Sequence, residues 1–385
     1  MKYRVLKVWP FWIYGIKYHD QYLAEFMESD DISTIFACPD YTEKSYIDFT
    51  EKKRNDTVNS YEMLFLRYIN IMGKPFPYQI FKFAKQVKII NPDVIHVFGI
   101  SNFTSIFTLI SAKLISYKGK IVFNDHSDPN ERKKGFIANI YYLIFRIFYY
   151  LLIKNRYTII VPDLSASEEM VRRYGKSIKK LIKIFPLGYD DRVFCFRNTF
   201  SASRTVGLPL ILGFAGKIFP AKRLELLIDV VKKYTSDAIE LHIAGLNIDS
   251  PSEYQETLLE YIVKSGCKNI YTYKFISNPE RLAQFYSKID VAVYPGSISI
   301  TTFEANGCGC PIILYESLKG LENRVSDLRG MLFKTQLQLS ECIDYYLNKK
   351  QISCIDHKAI AQESKTYSWS NIKKMYYNEY GFDII

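Results

Sequence analysis

The chain reads as an α/β protein of two doubly wound domains facing each other across a cleft, and three observations predict it. Short β-branched and aromatic runs alternate with helical periodicity along the whole length. A polar segment, Arg197-Asn-Thr-Phe-Ser-Ala-Ser-Arg204, interrupts that alternation near the middle. With 48% hydrophobic residues among 385, each half can also bury a core of its own. Strands are expected at Tyr3–Val8, Ile32–Cys38, Leu64–Tyr68, Val94–Val97, Lys120–Asn124, Tyr157–Val161 and Lys183–Phe185 in the first half. In the second half they are expected at Leu210–Ala215, Glu240–Ala244, Ile270–Phe275, Val291–Tyr294 and Ile312–Leu314. Alternation of strand and helix dictates parallel pairing with right-handed crossovers. The domains expected are 1–195 and 205–365, followed by a terminal stretch 366–385.

Composition narrows the function classes. Met1 to Trp9 runs straight into a strand without the pattern of a cleaved signal, so secretion is not expected. The seven cysteines are odd in number and scattered, and Cys308 and Cys310 read as small buried residues in a reducing cytoplasm. A formal charge of +11 points to anionic partners: a nucleotide diphosphate, nucleic acid or acidic lipid. The basic residues are spread along the chain with no recognition module, which argues against nucleic acid.

The stretch Val291-Ala-Val-Tyr-Pro295, Gly296-Ser-Ile-Ser-Ile-Thr-Thr302 and Phe303-Glu-Ala-Asn-Gly307 reads as a buried strand, a small-residue loop and a helix with a carboxylate in its first turn. In a parallel sheet that is a nucleotide site: helix-start N–H groups hold a diphosphate, and Glu304 accepts from a ribose. Alternatively, Glu304 is a first-turn carboxylate that favours the helix dipole. Lys217 and Lys222 follow the strand Leu210–Ala215 and Gly216. By spacing alone they are equally a solvated helix face with Arg223. In the first half, Gly15 heads a turn into a helix, with His19 and Asp20 a turn further on, and His126 follows the strand Lys120–Asn124 at its carboxyl end. His96 reads as structural.

Several of these pieces, in order, resemble the GT-B glycosyltransferases, in particular the retaining glycosyltransferase family 4. The second half matches through Gly213-Phe-Ala-Gly-Lys217 to Lys222, Leu241-His-Ile-Ala-Gly245, Asp290, Phe303-Glu-Ala and Gly309-Cys-Pro311. The first half agrees through Gly15 to Asp20, Pro92-Asp-Val-Ile-His96, Asn124-Asp-His126 and Ile184 to Asp190. The resemblance implies two Rossmann-like domains and a C-terminal helix, opening at Ser368-Trp-Ser-Asn-Ile372, that crosses back to the first. It implies a nucleotide-diphosphate sugar donor, UDP- or GDP-linked, with no metal and no cofactor. Lys217 and Lys222 then stabilise the leaving diphosphate, and His126 contacts the donor sugar. Gly15, Gly216, Ser299, Ile300, Thr301, Thr302 and Glu304 bind the donor. One position departs from the family: eight places before Glu304, where a first glutamate is usual, stands Gly296. A GT-B epimerase and a noncatalytic nucleotide-sugar-binding subunit are the alternatives.

The acceptor expected is a glycan or a polyprenyl-diphosphate-linked oligosaccharide, as in the assembly of capsule, O-antigen or other bacterial surface polysaccharide. The apolar and aromatic run Gly135–Ile153 contains Arg146 near its middle and has basic neighbours on both sides. It is expected to touch the inner face of an anionic membrane peripherally rather than span it, in an otherwise cytoplasmic protein.

Overall fold

A computed structural model of the chain describes residues 3–10, 19–29, 31–39, 62–71, 74–126, 135–153, 156–197, 207–247, 251–297, 299–316, 320–352 and 354–383. It divides into two compact units, one of Met1–Pro186 with Lys373–Ile385 and the other of Leu187–Ile372.

In the first unit the strands are β1 (Tyr3–Val8), β2 (Ile32–Pro39), β3 (Glu62–Leu66), β4 (Tyr68–Ile71), β5 (Lys74–Pro77), β6 (Val94–Phe98), β7 (Lys120–Asn124), β8 (Thr158–Val161) and β9 (Ile182–Ile184). Seven of them form a parallel sheet in the order β3-β2-β1-β6-β7-β8-β9. Strands such as β7 and β8 are apolar throughout their central residues because both faces are covered. Helices enter with side-chain caps where the sequence provides them. Asn102 accepts from Ser105 N before Phe103–Leu114, and Asp163 from Ala166 N before Leu164–Tyr174. The terminal residues pack with this unit through Glu379, which is ion-paired to Lys120 at 2.9 Å and to Lys183 and accepts from Thr158 at 2.6 Å.

The second unit carries β10 (Leu210–Ala215), β11 (Ile239–Leu246), β12 (Ile270–Lys274), β13 (Val291–Tyr294), β14 (Ile312–Tyr315) and β15 (Gly330–Phe333). All are parallel, in the order β12-β11-β10-β13-β14-β15. This is a doubly wound sheet whose order reverses between β10 and β13, the place where such sheets bind ligands at their carboxyl ends. Its core is aliphatic, centred on Leu212, Ile243, Val291 and Ile313. A buried ion pair, Lys350 to Asp290 at 2.5 Å, fixes the helix Gln336–Gln351 to the amino ends of β10 and β13.

The α/β class and both parallel sheets agree with the reading of the sequence, and β1, β7, β10 and β13 keep the expected bounds. Three details differ. The run Leu64–Tyr68 is not one strand: β3 ends at Leu66, and a hairpin of β4 with β5 follows, hidden in the sequence by Pro75 and Pro77. β15 went unread because it is four residues long and opens on a glycine. The units part at Pro186, upstream of the polar segment 197–204, because Tyr189 and Phe194 are buried in the core of the second unit. Most of that polar segment, 198–206, lies outside the described residues.

Candidate nucleotide site and histidine cluster

At the reversal point of the second unit, the segments following β10 and β13 are stitched together. β10 runs into Gly216, over which Gly245 passes so closely that a Cβ on Gly245 would collide with the Gly216 carbonyl oxygen. Lys217 is exposed, Ile218 is buried and anchors the loop, and Pro220–Lys222 makes one tight turn before the helix Leu224–Val231. From the other side Ser297 N donates to Ala221 O at 2.7 Å, and Lys222 Nζ donates to Ser297 O at 2.7 Å. Gly296 lies against this turn: a Cβ there would overlap the Ala221 carbonyl oxygen and come within 2.7 Å of the Lys222 carbonyl carbon. No side chain fits at the position where the resembled family carries its first glutamate.

Lys222 is 5% exposed, and its ammonium lies 5.2 Å from the centre of the Phe219 ring. Among the described residues it has no carboxylate partner, and burial pushes its amine down to about 8. The helix after β13 carries a buried acid. Glu304 Oε2 is sealed from solvent without a hydrogen-bond partner among the described residues, and desolvation raises the carboxyl to about 8. Ser297 Oγ is likewise buried and unpartnered there. Among the described residues, the segments that follow β10 and β13 thus carry a cation without an anion, an acid without a donor and a hydroxyl without a partner, the groups a polar ligand would satisfy.

Other residues of the loop are engaged with one another. Ser299 Oγ and Thr301 Oγ1 are 2.5 Å apart. Thr302 Oγ1 donates to Ser299 O at 3.0 Å and accepts from Arg324 at 3.2 Å, so its hydroxyl is already used within the protein. Ile300 is the N-cap of the helix Thr301–Gly307 and offers no side-chain acceptor. That helix has only seven residues, so the cations Lys222 and Arg324 rather than a helix dipole carry the positive charge of these segments. Arg324, buried and stacked 4.5 Å over Phe303, was not singled out in the sequence. It follows β14, and no motif connects it to Thr302.

A second polar cluster occupies the first unit. His126, just past β7, meets His19 edge-on with ring centres 4.2 Å apart. His19 lies 3.4 Å from Tyr376 Oη, and His96 Nδ1 is 2.5 Å from Tyr380 Oη. Beneath them Lys7 is paired with Asp20 at 3.2 Å, and Asn124 donates to the same carboxylate at 2.8 Å. Burial alone would raise Asp20, but the charge of Lys7 overrules it and holds the carboxyl well below its usual range. Burial, followed for His96 by the charge of Lys7, pushes that imidazole down to about 3. Burial also lowers His126, whose Nε2 has no partner among the described residues. Three of the five histidines therefore stand together as neutral rings. The sequence reading had separated them, taking His96 as structural and leaving His19 open. Gly15 lies outside the described residues.

Residues 197–365 match the family model of glycosyl transferases group 1. Among curated proteins, a D-inositol 3-phosphate glycosyltransferase of Geodermatophilus obscurus is 25% identical over 173 residues, 42% of this chain and 38% of that protein. A counterpart from Kribbella flavida is 29% identical over 181 residues, 43% of this chain and 42% of its own. The matched part thus spans about two fifths of the length of these relatives. Among solved structures, Anabaena HepE in complex with UDP aligns with a TM-score of 0.73 at 12% identity, covering 99% of this chain and 100% of that one. The lipopolysaccharide outer core galactosyltransferase WaaB aligns with a TM-score of 0.69 at 14% identity, covering 97% and 98%. The fold is that of the GT-B glycosyltransferases.

Proposed function

We propose that this chain, whose second unit carries the glycosyl transferases group 1 domain, is a retaining glycosyltransferase. It takes a sugar from a nucleotide-diphosphate donor, UDP- or GDP-linked, and passes it to a glycan or lipid-linked acceptor. The setting proposed is the assembly of bacterial surface polysaccharide by a cytoplasmic enzyme at the inner face of an anionic membrane. The observation that carries the donor reading is Lys222: a buried ammonium held by one carbonyl, with its charge uncompensated by the described residues.

Cleaving a bond between sugar and phosphate places negative charge on the leaving diphosphate, and a preorganised cation that meets this charge lowers the barrier. A lysine 4 Å from a phosphate oxygen contributes roughly 4 kcal/mol at an effective dielectric near 20, before its desolvation cost. For Lys222 part of that cost is already met in the fold, as its lowered pKa records. Lys217, exposed on the same loop, is proposed as the second cation. Charge compensation by lysines leaves no step that calls for a divalent ion, so activity without added metal is proposed. Glu304 is proposed to meet the ribose. With its carboxyl near 8 it is largely protonated at neutral pH, which keeps a like charge away from the diphosphate while leaving oxygen free to bond hydroxyls. From the first unit, neutral His126 is proposed to offer its unpartnered Nε2 to a sugar hydroxyl.

A thermal-shift screen of uridine, guanosine and adenosine diphosphate sugars tests the reading. UDP and UDP-glucose come first, because HepE, similar in fold, was solved in complex with both. A ligand at 100 times its dissociation constant adds about 2.7 kcal/mol to stability. Lys222→Ala is expected to abolish the shift while leaving the unliganded melting temperature nearly unchanged. An equal shift in variant and parent would remove Lys222 from the site.

A further inference from the structure

The helix Phe136–Ile153 has its faces arranged unlike those of an ordinary surface helix. One face, Tyr142, Phe145 and Tyr149, is buried against Phe123, Tyr157 and Tyr174, and Tyr142 Oη accepts from Arg173 at 2.8 Å. The opposite face should then be charged. Instead Phe136, Leu143, Ile144, Ile147, Tyr150 and Leu151 fall within an arc of roughly 120° at 3.6 residues per turn. They are between 45% and 80% exposed. The single charged residue of the helix, Arg146, lies at the edge of that arc, and its guanidinium covers Gly175, where a Cβ would come within 2.9 Å of Nη1.

Gly175 leads directly into the turn Lys176–Leu181. Lys176, Lys179 and Lys180 are all exposed and, with Ser177, line a surface hollow of about 560 Å³. None of the three lysines makes an ion pair with a described residue. An aliphatic band bordered on one side by four cations is the complement of a bilayer surface with anionic headgroups. It does not complement a second copy of this chain, because self-pairing about a two-fold axis would bring like-charged turns towards one another. Among the described residues no helix is long and apolar enough to cross a membrane.

We infer that the helix Phe136–Ile153 lies flat in an anionic membrane surface, its outward aliphatic face at the acyl boundary, while Arg146 and the turn Lys176–Lys180 hold lipid phosphates beside it. This deepens the membrane-side reading given above and rests on it. The test is co-sedimentation of the full chain with phosphatidylcholine vesicles and with the same vesicles doped with phosphatidylglycerol. Binding is expected to the doped vesicles alone. Ile147→Glu, at a half-exposed position, is expected to cut the bound fraction at least ~10-fold at any salt concentration. Replacing Lys176, Lys179 and Lys180 together by Gln is expected to weaken binding roughly 100-fold, at about fivefold per lysine, and to flatten its salt dependence. Equal binding to both vesicle types, no binding, or undiminished binding by Ile147→Glu would overturn the inference. So would light scattering that shows a dimer dissolved by the same substitution. The thermal shift with UDP, read on the same variants, separates the two readings, since Lys222 and Glu304 belong to the other unit. A parent chain that shifts with UDP but binds no doped vesicles fails only the membrane face, and one that binds doped vesicles without a UDP shift fails only the donor site.

Discussion

Glu304→Gln should make the unliganded protein more stable and the nucleotide site worse, and the size of the first effect follows from the geometry. Glu304 Oε2 is sealed from solvent with no donor among the described residues, and its carboxyl is raised from 4.5 to about 8. Between those two values the folded chain holds a proton that the unfolded chain has released, so stability falls as pH rises across that window and levels off above it. At 1.36 kcal/mol per pKa unit the full cost above pH 8 is roughly 5 kcal/mol. The residue as a whole is only partly buried, and solvent screening reduces this to about 2 kcal/mol. Glutamine keeps the shape and never ionises. The variant should match the parent at pH 5 and exceed it at pH 9 by about 2 kcal/mol, or roughly 4–8 °C in Tm for a unit of this size. The assay is differential scanning fluorimetry across pH 5 to 9, with and without UDP. UDP should shift the parent more than the variant, because an NH2 donor replaces one of the two carboxyl oxygens offered to the ribose. Parallel Tm curves for the two proteins across the whole pH range would refute the buried-acid argument.

Other perturbations give independent checks. UDP affinity in the Glu304→Gln background should be nearly flat from pH 7 to 8 and fall above pH 8 by up to tenfold per unit. The amine of Lys222, lowered to about 8, then loses the proton the diphosphate needs, and isothermal calorimetry in two buffers would show proton uptake on binding. Gly296→Ala should cost about 1–3 kcal/mol and weaken UDP binding, since the new Cβ meets backbone atoms of Ala221 and Lys222 that cannot turn aside. Unchanged stability in urea would contradict that steric account. Lys7→Met should destabilise the first unit by about 3–5 kcal/mol, measured by urea unfolding, because it leaves the Asp20 carboxylate buried with Asn124 as its remaining hydrogen-bond partner among the described residues.

What could be read in the sequence follows the range of the interactions involved. β10 and β13 are apolar runs bounded by turn residues, and their limits are set locally, so periodicity located them to the residue. β15 and the hairpin depend on neighbours for their pairing and were missed. The segments that carry Lys222 and Glu304 were legible as a pattern, because both residues lie at fixed distances after their strands. The closure at Gly296 was not, because it depends on the Ala221 carbonyl being brought across from the loop after β10, which follows only once β10 and β13 are neighbours. The same holds for the histidines. His19, His96 and His126 are far apart in sequence and meet because β1, β6 and β7 are adjacent in the sheet, an order that alternation of strands and helices does not dictate.

The closure at Gly296 also bears on how a donor sugar can be read. In the resembled family the first glutamate is an anionic acceptor for sugar hydroxyls, and a chain that had merely lost it would leave a gap that water or a neighbouring side chain could fill. Here the gap does not exist. The backbone of Ala221 and Lys222 occupies it, Ser297 N is bonded to Ala221 O, and the Lys222 ammonium is bonded back to Ser297 O. A Gly296→Glu substitution would therefore break the turn that holds Lys222 before it supplied a carboxylate, and activity would fall rather than change in specificity. On the proposed reading, recognition of the sugar falls to neutral groups, of which Ser297 Oγ is buried and unpartnered among the described residues. Neutral partners discriminate by geometry more than by charge. The trade is consistent with the rest of the proposed site: with Glu304 largely protonated at neutral pH and no acid paired with Lys222 among the described residues, the charge of Lys222 is left for the proposed diphosphate.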